Sequence, residues 1–383
     1  MFARRFFWSI MKSAHRPVPP PLDREALMRR ARYPPHRVLL RETGPADTKR
    51  ARPIRSCPRL LSFGNVVGVV TKPSGRQARL EAHDQCVVAV EVGGGLRVYQ
   101  HDGIDILDGY GEDEVCPAGS GQLLAPWPNR LGDGRFTWHG REYQLPITEV
   151  SKGNAIHGLV RWANWTLPEP ESLHSPWTAG TPVEHLTVSH RLHPQPGWPW
   201  ALDLRVVYRL SEGGLEVRTW LTNLSGEACP IGFGWHPYIR AFEGTVDAIR
   251  LTLPAGAAYR SDDRGLPVGR ASVSELGLDF NSGRKIGDAR LDAAFTDLQR
   301  EADGRCVVRI ESEDRPTVKL WVDRQFTHLM VFTGDTIGDE SRRRRSLAVE
   351  PMTAAPDMLR SGDGRQVLEP ASTLEAAWGI QVG

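Results

Sequence analysis

A chain of 383 residues with 40% apolar side chains can bury one large core or two ordinary ones, and 38 Gly with 29 Pro favour turns over long helices. No apolar run reaches the ~18–20 residues of a membrane span, and the five cysteines (Cys57, Cys86, Cys116, Cys229, Cys306) form neither a CxxC pair nor a zinc-type spacing. The net charge of +2 hides an asymmetry: residues 1–60 hold 15 Lys/Arg against 4 Asp/Glu, about +11, which leaves about −9 for the remainder. Five lone thiols fit a reducing cytosol, with no disulfide framework and no structural metal.

The first 70 residues are an Arg- and Pro-rich extension with RPVPPPLDR, ARYPPHRVLL and KRARPIRSCPRLL, and little in them is periodic enough to be buried. Three readings compete for it: a solvated or misassigned leader, a targeting segment opening on Arg4-Arg5, and a basic tail that touches nucleic acid or anionic lipid. From about Ser74 the texture changes to short strands. Gln77–Glu81, Cys86–Val92 and Leu96–Gln100 alternate or run β-branched, with Gly93-Gly94-Gly95 as the turn between the last two. Asp102–Asp108 reads as another strand.

Gln122–Trp165 holds the densest set of chemical groups. An apolar strand end breaks at Pro126 and Pro128, which set Asn129 and Arg130 on a loop. Phe136–Leu145 alternates like a hairpin around His139-Gly140, and the stretch closes on the sequence NAIHGL with His157. A second hairpin runs Ala201–Leu210, turns at Glu212-Gly213-Gly214, and returns as Leu215–Leu221. GFGWHPYI follows with His236, LDAAFTDL with Asp292, and LAVEPMTAAPDML with Glu350. Further strands are expected at Ala248–Leu253, Arg305–Glu311, Thr317–Trp321, His328–Phe332 and Leu347–Glu350. There is no βαβ rhythm, no phosphate-cradling glycine loop and no fixed repeat, so the pattern is all-β, with antiparallel sheets packed face to face.

On residue type alone each candidate has a plain alternative. Glu350 ends an apolar strand beside Pro351, which should stop normal pairing beyond it and aim the carboxylate at one proton; it reads equally as a strand-end Glu paired with one of Arg342–Arg345. His236 can give and take a proton near neutrality or sit packed in the core. His157 can be a turn histidine satisfied by backbone, Arg130 a clamp across two loops, and Asp292 a turn residue. Of Trp127, Trp162 and Trp235, one is expected to line a cleft and the others to pack. The remaining histidines have no motif around them and imply no metal site.

The four segments, in this order, resemble the aldose 1-epimerase (mutarotase) family from roughly residue 70 to the C-terminus. The resemblance implies a galactose mutarotase-like supersandwich, a large antiparallel β-sandwich with the sugar cleft on one concave sheet, formed by a single catalytic domain of residues 71–383. It implies anomer interconversion of a free aldohexose such as galactose or glucose with no cofactor and no metal. The lone thiols and the lack of a long apolar run add the expectation of a cytoplasmic protein with no membrane span, and no nucleic-acid partner is expected. By the same resemblance Glu350 is the implied general base at the C1 hydroxyl and His236 the general acid at the ring oxygen. His157, Arg130 and Asp292 are the implied sugar ligands, with Asn129 and Trp235 beside them. The family's Asp-His-Asn-Phe is here Asp292-Ala293-Ala294-Phe295 and its Glu-Pro-Gln is Glu350-Pro351-Met352, so hydroxyl contacts and substrate are expected to differ. Rival readings are a hexose-6-phosphate epimerase using Arg161, Arg240 or Arg264 at the cleft rim, and a non-catalytic sugar-binding module or sensor.

Overall fold

The computed structural model describes residues 71–168, 184–241, 244–313 and 315–383; the basic stretch 1–70 lies outside them. Two eight-stranded antiparallel sheets dominate. The first runs, in spatial order, through His185–Leu192, Leu202–Ser211, Gly214–Asn223, Thr373–Val382, Val318–Val322, Cys306–Glu311, Arg250–Leu253 and Phe280–Lys285. Its long strands alternate as the sequence predicts: Leu202, Leu204, Val206 and Tyr208 are buried, while Arg205 and Arg209 face out. The His139-Gly140 hairpin also forms, with both residues at positive φ and Arg135–Trp138 paired to Arg141–Gln144.

The second sheet orders Pro267–Ser272, Ala255–Ser261, Asp292–Leu298, His328–Phe332, Ser346–Met352, Gly234–Trp235 and Leu123–Leu124, with Tyr238–Arg240 also on Ser346–Met352. One face of each sheet joins a common core. Across it Trp235 of the second sheet meets Tyr208 and Trp378 of the first, at centroid separations of 6.1 and 5.9 Å. Ser346–Met352 is buried at every position. Leu347 and Val349 enter the shared core, while Ala348, Glu350 and Met352 lie on the opposite face, so period-two geometry carries Glu350 away from the core.

Two expectations need correction. Pro351 does not end the strand, because pairing continues through Leu329↔Pro351 and His328↔Met352. On the other side the partner is interrupted: Tyr238–Arg240 pairs only as far as Ala348, Val349 donates to the Pro237 carbonyl, and Gly234 resumes opposite Met352. The missing proline N–H therefore falls at a gap, where no ladder bond is lost. Trp235, expected beside the sugar, is fully buried and its Nε1 donates to Thr219 Oγ1 at 3.1 Å. Successive residues of an extended chain point to opposite faces, so His236 and Trp235 cannot both face the cleft.

Loops cover the far face of the second sheet. The Thr333–Arg345 connection is held by its arginines: Arg344 to Asp335 and Asp247, Arg345 to Asp108, and Arg342 to Glu114. Opposite it, Gly158 has φ +70°, and a Cβ there would lie 1.9 Å from the Ala125 carbonyl oxygen, which accepts from Leu159 N. Gly158→Ala is expected to destabilise the protein by about 2–4 kcal/mol, read as a lower urea midpoint. Among the described residues no helix is long and apolar enough to cross a membrane.

Candidate active site

A cleft of about 230 Å³ opens on the far face of the second sheet. Its polar lining is Asn129, Arg130, His157, His236, Asp292, Thr336 and Glu350, and apolar lining includes Ile156, Tyr238, Met330, Phe332 and Ile337. Six of the seven residues predicted from sequence meet here. None of Trp127, Trp162 and Trp235 lines it: Trp127 is buried 6.3 Å from Trp198, and Trp162 is half exposed beneath Arg161.

At its floor, His236 Nε2 lies 3.3 Å from Glu350 Oε1, with both side chains almost wholly buried. None of Arg342–Arg345 reaches Glu350; each is bound to another carboxylate, Arg343 to Glu340. Burial pushes the Glu350 carboxyl well above the ordinary carboxylate range, Asp292 adds to the shift, and Arg130 opposes it. Burial drives the His236 imidazole down to about 3, with the Arg161 charge acting the same way. Both shifts favour uncharged forms, so the pair is favoured as a neutral carboxyl and neutral imidazole with one proton between them, rather than as the carboxylate and imidazolium expected from the family resemblance. The two arrangements differ only by transfer of that proton across the contact. Glu350 Oε2 and His236 Nδ1 are buried without a hydrogen-bond partner.

The walls are built by backbone in unusual conformations. Asn129 and His157 both have positive φ, at 54° and 63°, and His157 N donates to Asn129 O at 2.9 Å. Asn129 Oδ1 accepts from Arg130 N at 2.8 Å, which fixes the turn that presents Arg130. The His157 ring stands edge-on to His236, with centroids 5.4 Å apart, and burial, then His236, hold it well below its ordinary pKa. Asp292 enters from the neighbouring strands, opposite Phe332.

Tyr238 was not singled out from sequence. It stacks on His236, with centroids 4.9 Å apart and planes 20° from parallel, and so fixes the imidazole. The available signal was the i, i+2 spacing from His236 within GFGWHPYI, which puts both on one face of an extended segment. The two departures from the family pattern also meet: Ala294 and Met352 lie in one buried apolar cluster with Tyr259, Met330 and Ala355.

Of the three arginines considered for a phosphate, none lines the cleft. Arg240 pairs with Asp105, and Arg264 binds Asp133, Asn154 and two loop carbonyls.

A sequence profile described as aldose 1-epimerase matches residues 76–380. The uncharacterized protein YihR of Escherichia coli (strain K12) is 32% identical over 298 residues, covering 77% of this chain and 90% of that protein. The galactose mutarotase of Rattus norvegicus is 28% identical over 152 residues, 39% of this chain and 41% of that protein. Among solved structures, a galactose 1-epimerase from Lactobacillus acidophilus NCFM superimposes with a TM-score of 0.64 at 19% identity, over 80% of this chain and 94% of its own. That last likeness is one of fold.

Proposed function

The chain belongs to the aldose 1-epimerase family, and we propose that it interconverts the α and β anomers of a free aldohexose of galactose or glucose type. The observation that carries the reading is the buried His236–Glu350 contact at 3.3 Å on the cleft floor, with Glu350 Oε2 unpartnered beside Arg130, His157 and Asp292.

Opening a pyranose ring takes one proton from the C1 hydroxyl and gives one to the ring oxygen. Glu350 and His236 together hold one mobile proton, so they supply both operations without net change. A C1 hydroxyl donating to Glu350 Oε2 stabilises the carboxylate, and the shared proton then resides on His236, facing the ring oxygen. The open aldehyde turns about C1–C2 and recloses from the other face, returning each proton. Arg130, His157, Asn129 and Asp292 hold the hydroxyls and the ring oxygen in register during that turn.

The cleft supports an uncharged substrate better than a phosphorylated one. Its lining has one arginine against two carboxyl residues, and that arginine is already ion-paired. A pure binding module has no need of a buried carboxyl in contact with a buried imidazole. Ala294 and Met352 are buried in the apolar cluster that includes the cleft-lining Met330, so neither offers the sugar a polar contact, which supports fewer hydroxyl contacts there.

The test is the optical-rotation decay of freshly dissolved α-D-galactose and α-D-glucose. The protein is expected to accelerate at least one, with D-glucose 6-phosphate turned over more slowly. Failure on both free sugars with turnover of the phosphate would replace this reading with the phosphorylated one. Failure on all three would leave the binding module.

A further inference from the structure

Arg130 reaches the cleft already tied to a partner. Its Nε donates to Glu149 Oε2 at 2.9 Å and its Nη2 to Glu149 Oε1 at 3.0 Å, and the two side chains are only 12% and 17% exposed. This is a fork-on-fork ion pair, the geometry that fixes a guanidinium in direction as well as in place. Gly265, at φ +76°, packs against the guanidinium; a Cβ there would lie 2.6 Å from Nη1 and 2.8 Å from Cζ. Nη1 is the nitrogen that Glu149 leaves unused.

Glu149 is itself fixed. Its Oε2 accepts from Asn154 Nδ2 at 2.8 Å, and the fully buried Asn154 also donates to Arg264 O and accepts from Arg264 Nη2. Backbone bonds from Glu149 N to Asn154 O and from Asn154 N to Glu149 O close the intervening loop into a clasp. Asn154–Ile156 then pairs with Arg130–Gly132, in the register Arg130↔Ile156. Glu149 does not line the cleft, so it acts through Arg130.

We propose that Glu149 is a positioning residue of the ring-opening reaction, aiming Arg130 Nη1 at the sugar and offsetting its charge beside the Glu350–His236 pair. The inference rests on the proposed mutarotase reading. The groups facing the pair are Arg130, Asp292, His157, Tyr238 and Arg161. Removing the Glu149 charge leaves Arg130 uncompensated, and added positive potential makes every protonation of the pair harder. Both limbs of the pH profile therefore move to lower pH.

The experiment measures kcat, KM and the pH profile of kcat/KM for wild type, Glu149→Gln, Glu149→Asp and Glu149→Ala, on whichever free aldose the wild type turns over. For Glu149→Ala, KM is expected to rise about tenfold or more with a smaller change in kcat, the pattern of a sugar-binding interaction weakened equally in the ground and transition states. Glu149→Gln keeps the shape, and its alkaline limb is expected about half a unit or more lower. Glu149→Asp keeps the charge, so its limbs stay at the wild-type pH while KM rises. If the variants lose only thermal stability, with KM and both limbs unchanged, Glu149 is structural and the proposal falls while the mutarotase reading stands. If the wild type accelerates no sugar, both fall.

Discussion

Glu350→Gln is expected to lower kcat for mutarotation by about 10³–10⁴ while KM stays within about threefold. Gln fills the same volume and can still meet His236, but its amide takes no proton from a C1 hydroxyl at any pH. A kcat within tenfold of wild type would remove Glu350 from the role of base. The same substitution makes a stability prediction of opposite sign. The folded carboxyl binds its proton more tightly than the unfolded one, so the unfolded state holds fewer protons between the two pKa values and stability falls as pH rises through that window. Gln has no charge to bury. The variant is therefore expected to melt at higher temperature than wild type near pH 8, with the difference shrinking below about pH 4, where both states of Glu350 are protonated. A catalytic loss joined to a thermal gain marks a group held against its own solvation preference for function.

The sheets were legible because their signal is local. Period-two alternation in Leu202–Ser211 and the positive-φ pair His139-Gly140 depend only on neighbouring residues. The site was legible through short motifs whose residues lie far apart in sequence: Arg130, His157, His236, Asp292 and Glu350 share one cleft. What sequence missed depends on which face a residue takes and on what lies across a sheet. Trp235 was assigned to the sugar although it neighbours His236, and strand geometry sends neighbours to opposite faces. Pro351 looked like a stop, because the gap opposite it belongs to the distant segment around Pro237. Glu149 carries no motif, and its importance appears only when the Asn154 clasp brings it onto Arg130. The meeting of Ala294 with Met352 is likewise a product of strand order: each was visible as a departure, but their common cluster was not.

His236→Asn is expected to lower kcat by about 10²–10⁴ and to change the form of the pH dependence. In the wild type the productive pair holds one proton. Activity should fall at the acid end when His236 takes a second, near pH 3, and at the alkaline end when the pair loses its only one, well above the usual carboxylate range. Between those limits lies a plateau, with its acid end below the usual imidazole range and its alkaline end above the usual carboxylate range, because burial moves the two groups apart. Asn can hold a hydrogen bond at the same place but carries no proton to give. The residual activity of the variant then depends on Glu350 alone and rises once, as the carboxyl ionises, without an alkaline fall. Arg161, which opposes the imidazolium, is left with no charge to act on there, so its substitution in the Asn background should be nearly silent. A variant that keeps a two-limbed profile would show that the titrating acid is another group, and His157, 5.4 Å from His236 and equally buried, is the one to replace next.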